Sequence, residues 1–145
     1  MDVVYIGPQG TPTARLGVEQ NRQAALGHLR RILTDTKGHI YKIGIATNPV
    51  SRSYAHGKVA VDEREDGDLT YVTFQRGLWD RMFVIFQTTS GAAVREAERE
   101  FIEAAQKEFG DFRTHSLVTM NTSTGGEGPL GPRGPYFLYV LRSAG

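Results

Sequence analysis

Short apolar runs and longer helical repeats take turns along the chain. Val3-Val4-Tyr5-Ile6 reads as a strand that Gly7-Pro8 ends. Thr11-Pro12 has the form of an N-cap with proline at the first helical position. Leu16, Ala25, Leu26, Leu29, Ile32 and Leu33 then recur at helical spacing, which predicts a helix over 12–34. Gly17 and Gly27 weaken it by about 1 kcal/mol each relative to Ala. Thr36-Lys37-Gly38 is a turn, and 39–46 is apolar and short enough for a strand. Asn48-Pro49 repeats the cap-and-proline signal and predicts a short helix to about Gly57. Residues 58–61 read as a short extended piece, and Tyr71-Val72-Thr73-Phe74 as a strand or an irregular segment. Met82 to Thr88 is a strand bounded by Thr89-Ser90-Gly91, and a helix follows over 91–109. Gly and Pro crowd 110–135, which reads as loop before a strongly apolar strand, Tyr136 to Leu141. The expected fold is α+β: a small, mostly antiparallel sheet of three to four strands flanked by helices.

The helix over 91–109 holds one anomaly. At 3.6 residues per turn, Val94, Ala97, Phe101, Ile102, Ala104, Ala105 and Phe109 form one face. Arg95, Glu96, Arg99, Glu100, Glu103, Gln106 and Lys107 form the other. Glu98 sits inside the apolar arc, between Val94, Ile102 and Ala105. An ionised carboxylate there is costly unless it is paired or bound to a metal, so it is a buried ion-pair partner, a rim residue that reaches water, or a metal or catalytic group. Glu108 also lies near the arc, but in a last turn that frays into water.

A second cluster joins a strand to a capped helix. Strand alternation puts Tyr41 and Ile43 on one face, and Lys42 and Gly44 on the other. Arg52 and His56 are four residues apart on the next helix and share a face. A Lys, an Arg and a His so assembled suit an anion such as phosphate, although an edge lysine and a solvated arginine would give the same string.

Composition narrows the chemistry. At 145 residues the length fits one domain, 1–145, in which 1–37 forms an N-terminal strand-helix extension or insertion. There is no Cys, which removes disulfides, thiol nucleophiles and thiolate zinc sites, and the four His (His28, His39, His56, His115) are far apart. No long apolar run or signal segment is visible, so a soluble cytoplasmic protein without a membrane partner is expected. The net charge of +1 hides a gradient. Eight Lys and Arg against three acids make 1–61 carry +5, while the Asp62–Asp68 run carries −4 and reads as a solvated loop.

Lys42-Ile43-Gly44, with Arg52 ten residues and His56 fourteen residues beyond Lys42, resembles the second motif of the GIY-YIG nuclease family. Met82 to Thr88 resembles that family's third strand. Glu98-Arg99-Glu100-Phe101-Ile102 resembles its metal-binding helix, with Glu98 at the carboxylate position. Asn121 and Gly125-Gly126-Glu127-Gly128 resemble a stretch found in many members. The match runs over 38–128. It departs at the first motif, a Gly-Ile-Tyr strand that in the family forms a hairpin with the second. Val3-Val4-Tyr5 would serve if the following helix is an insertion in the hairpin. Phe137-Leu138-Tyr139 would serve if the sheet is circularly permuted and the C-terminal strand pairs with 39–46. Lys42 also stands where the family usually has Tyr.

The resemblance implies a metal-dependent endonuclease that hydrolyses phosphodiester bonds of DNA, with RNA left open. Glu98 would hold one Mg²⁺ or Mn²⁺, and Tyr139 or Tyr5 would help take a proton from the attacking water. Lys42 would support that tyrosine, Arg52 would hold the scissile phosphate, His56 would bridge to it, and Asn121 would position the Glu98 region or the substrate. A non-catalytic nucleic-acid-binding module on the same fold is the alternative, and an unrelated α+β fold would leave Glu98 simply ion-paired. Arg15, Arg22, Arg30 and Arg31 in the predicted helix 12–34 are candidates for phosphate contact. Nothing in the sequence specifies base reading, which a dimer or a partner protein would have to supply.

Overall fold

In a computed structural model, residues 2–34, 40–57, 79–109, 118–119 and 133–143 are described. The chain is α+β, with six strands in one mixed sheet. In chain order come β1 (Asp2–Ile6), β2 (Pro12–Thr13), a 3-10 turn at Arg15–Gly17 and α1 (Arg22–Thr34). Then follow β3 (Ile40–Ala46), α2 (Pro49–Gly57), β4 (Trp79–Thr88), α3 (Gly91–Phe109), β5 (Val118–Thr119) and β6 (Tyr136–Ser143). The acidic run 62–68, the segments 58–61 and 71–74, His39, His115, Asn121 and Gly125–Gly128 lie outside the described residues.

The sheet order is β2-β1-β4-β6-β3-β5. Its centre, β4-β6-β3, is antiparallel throughout, as expected for this chain. The flanks differ from the expectation. β1 pairs parallel with β4, β5 pairs parallel with β3, and β2 pairs antiparallel with β1. The two-residue strands escape a pattern reading because a period of two is undetectable over two residues. The parallel pairs join segments far apart in sequence, which leave no local signal.

The helix expected over 12–34 begins ten residues later. Pro12 and Thr13 pair with Ile6 and Tyr5 instead, and the chain then crosses the sheet before α1. The working N-cap is Asn21, whose Oδ1 accepts the Ala24 N–H at 3.0 Å, not Thr11. The other two helices start where expected. Asn48 Oδ1 accepts the Ser51 N–H at 3.2 Å, and Ser90 Oγ accepts the Ala93 N–H at 3.1 Å. Among the described residues, no helix is long and apolar enough to cross a membrane.

Alternation gives the sheet two buried faces. One carries Tyr41, Ile43, Ile45, Phe83, Ile85, Leu138 and Val140, and packs beneath Leu26, Leu29 and Leu33 of α1 and Val94, Phe101 and Ile102 of α3. Each such side chain contributes about 1.5–3 kcal/mol by leaving water. The other carries Ala46, Met82, Val84, Phe137, Tyr139 and Leu141, with Val3 and Tyr5 partly buried at its margin and Val18 packed on it. α2 lies against β1 and β4. A bulge in β4 falls between Val84 and Phe86. It shifts the alternation, so Phe86 joins Ile85 in the first face and Gln87 comes opposite Phe137. Gln87 then donates from Nε2 to the carbonyls of Leu16 and Val18, both at 3.0 Å, and holds the crossing segment down.

Gly44 makes the β3–β6 pairing possible. It faces Tyr139, and a Cβ at Gly44 would lie 2.5 Å from the tyrosine oxygen and 2.6 Å from Cζ. Only a residue with no side chain lets the ring lie there. Gly44→Ala should therefore cost about 1–3 kcal/mol in denaturant unfolding. The cost should shrink in a Tyr139→Leu background, because the two positions share one volume. An equal cost in both backgrounds would contradict the packing.

Candidate functional site

Two of the candidate residues, Lys42 and Tyr139, share the second face of the sheet. β6 lies between β3 and β4, and the register aligns Gly44, Tyr139, Val84 and Tyr5 in one row across four strands. Lys42 lies in the next row, opposite Leu141, and so is a diagonal neighbour of Tyr139 on the same face. Of the two strands that could pair with 39–46 as a first motif, it is the C-terminal one that does. β1 is separated from β3 by β4 and β6 and pairs with β4, so Tyr5 shares the row with Tyr139 but not its strand partner. Tyr139 is 1% exposed, and Lys42 is half-buried.

The other candidates stand elsewhere. Arg52 is exposed on α2, one turn from the Asn48 cap. His56 is one turn further along α2; its side chain is outside the described residues, as is Asn121. Glu98 is 1% exposed, as its place in the apolar arc of α3 required. That helix packs on the face bearing Tyr41 and Ile43, whereas Lys42 and Tyr139 are on the opposite face. Among the described residues no group of three or more acids or histidines could hold a metal. A buried hard-oxygen donor such as Glu98 suits Mg²⁺ or Mn²⁺ in chemistry, and a cation would offset the cost of its charge.

Two of the four arginines expected to meet phosphate are engaged inside the fold. Arg22 bonds Glu100 and lies 3.5 Å from Glu96, and Arg30 Nε donates to Glu108 at 2.8 Å. These pairs tie α1 to α3, and such partly exposed pairs are worth about 0–1 kcal/mol each. Arg15 is free of α1 altogether. It donates to the Thr47 carbonyl at 3.0 Å, and its guanidinium stands 5.1 Å from the centre of the Phe137 ring.

A buried polar group was not legible in the sequence. Glu19 and His28, 4% and 6% exposed, are joined through Oε1 and Nε2 at 3.1 Å. Glu19 Oε2 also accepts the Asn21 N–H at 3.0 Å. The Glu19 backbone accepts from Gln87 N–H at 2.9 Å and donates to the Ile6 carbonyl at 3.0 Å. Glu19 thus locks the crossing segment to β1, β4 and α1 at once. Its position beside an expected helix face gave no sign of this, because the pairing depends on where the segment crosses the sheet.

Comparison with models of known protein families, with curated proteins and with solved structures returns no match.

Glu19→Ala should remove about 3–5 kcal/mol of stability, since it strips a buried histidine and a backbone N–H of their acceptor. Arg30→Ala should remove about 0–1 kcal/mol. Denaturant midpoints compare the two, and equal losses would contradict the structural weight given to Glu19.

Proposed function

We propose that the chain is a metal-dependent endonuclease of the GIY-YIG kind, cutting DNA, with β6 as its first-motif strand and Tyr139 as its first-motif tyrosine. One observation carries this reading. The strand holding Lys42-Ile43-Gly44 pairs antiparallel with the C-terminal strand, and Tyr139 falls opposite Gly44. That pairing is what a circularly permuted member of the family requires. The order of the central strands, with β6 between β3 and β4, also brings the second-motif and third-strand segments to either side of it.

Each residue then has a part that its chemistry fits. Tyr139 takes a proton from the attacking water. A phenol ionises near pH 10 in water, so it needs a cation nearby, and Lys42 on the same face supplies one. Arg52, exposed on α2, holds the scissile phosphate through its fork of N–H donors and stabilises the charge that builds there. His56, one turn on, bridges to that phosphate. Asn121 positions the substrate. Glu98 would hold the divalent cation, on the α1 and α3 side of the sheet across from Tyr139. When bound, Mg²⁺ or Mn²⁺ supplies Lewis-acid stabilisation of the leaving oxygen.

A second reading, a nucleic-acid-binding module without catalysis, is favoured by a specific observation. Glu98 and Tyr139 are each 1% exposed, on α3 and on the sheet face turned away from α3. One assay separates the two readings. Supercoiled plasmid incubated with the protein and Mg²⁺ should be nicked, EDTA should stop it, and Glu98→Gln should lower the rate at least about 100-fold, in the range of lost transition-state stabilisation, with the melting temperature retained. A mobility shift of the DNA with no metal-dependent cutting would replace the enzyme with the binding module. Full cutting by a folded Glu98→Gln protein would remove Glu98 from the site.

A further inference from the structure

The crossing segment, the end of β4 and Pro135 form an open pocket of about 390 Å³, lined among the described residues by Leu16, Gln20, Gln87, Thr88, Thr89 and Pro135. Among the described residues, none of the candidate site residues lines it. Its size falls in the range of small-molecule sites. The described lining is neutral and offers amide and hydroxyl groups beside apolar surface, which suits a neutral ring with polar edges. Leu16 is 73% exposed at the rim, and Pro135 offers a second apolar surface. Gln20, Thr88 and Thr89 supply amide and hydroxyl groups of the type that bond base edges.

Arg15 precedes Leu16 and is exposed. Its bond to the Thr47 carbonyl uses one N–H, and the fork leaves four. The guanidinium is held over Phe137, which lies on the same face and strand as Tyr139, two residues away. Two residues of strand measure about 7 Å. A cation is therefore fixed between the pocket and the tyrosine of the proposed site.

We infer that this pocket receives one nucleobase of a single-stranded or unpaired nucleotide, with Arg15 on the adjoining phosphate. The inference rests on the reading of the chain as a nucleic-acid-binding protein, but not on its being catalytic. It gives the N-terminal segment, which the family resemblance does not cover, a role in substrate choice: a strand with a base free to leave the stack is preferred over intact duplex.

The test is binding of a fluorescein-labelled 12-nucleotide single strand to the full chain in EDTA, which prevents metal-dependent cutting. Leu16→Asp should weaken binding about tenfold, the scale of losing one base contact. Arg15→Ala should weaken it and lower the slope of log affinity against log salt by about 0.7, one phosphate on a single strand. An abasic strand of equal length should bind wild-type protein no better than the normal strand binds Leu16→Asp. Amide shifts in the normal complex should include 16–20 and 87–89. Wild-type affinity in Leu16→Asp, an abasic strand bound as tightly as a normal one, or no binding of the strand at all overturns the inference. Plasmid nicking is scored separately. Loss of the catalytic reading with these binding effects intact leaves the pocket assignment standing, and nicking that is insensitive to Leu16→Asp binding losses does not rescue it.

Discussion

The approach of the Tyr139 ring to the bare Cα of Gly44 is the contact on which the sheet depends. It sets the register of β3 against β6, because a slip of one residue would put a side chain under the ring and turn each strand's apolar set to the wrong face. That register puts Tyr41, Ile43, Leu138 and Val140 beneath α1 and α3, and Ala46, Phe137, Tyr139 and Leu141 on the other side. It also puts Lys42 on the same side as Tyr139. The fold and the proposed chemistry thus share one geometric requirement at one glycine.

The second constraint is the way the N-terminal segment is tied across the sheet. The β4 bulge turns Gln87 toward the carbonyls of Leu16 and Val18, and Glu19 reaches His28 on α1. Both anchors are buried, so the segment forms part of the core's polar accounting and not an outer wrapping. The same anchoring creates the pocket beside Gln87 and fixes Arg15 over Phe137. A strand-helix extension is in this way converted into one wall of the pocket.

Much of this was legible in the residues. Helices over 49–57 and 91–109 follow from Asn48-Pro49, from Ser90 and from a sustained apolar period, and Glu98 betrayed its burial by breaking that period. Strands β3, β4 and β6 follow from apolar runs closed by turn residues. The late start of α1 was hidden because Thr11-Pro12 mimics a cap, while Pro12 and Thr13 find a better partner in β1 through contacts that local sequence does not encode. The parallel pairing of β1 with β4 and the Glu19–His28 pair were hidden for the same reason: each joins positions that only the three-dimensional path brings together. Which tyrosine pairs with the Lys42 strand was an open alternative in the sequence, and strand order decides the pairing.

The central claim is that the C-terminal strand does the work of a first-motif strand, and it is tested most directly by comparing Tyr139→Phe with Tyr5→Phe in metal-dependent plasmid cleavage. Both variants remove one hydroxyl from the same row of the same sheet face. Loss of cutting of about 100-fold or more in Tyr139→Phe, in the range expected of a proton-transfer group, with near-normal cutting in Tyr5→Phe, is the result the account predicts. Near-normal cutting by a folded Tyr139→Phe protein, or loss confined to Tyr5→Phe, would contradict it.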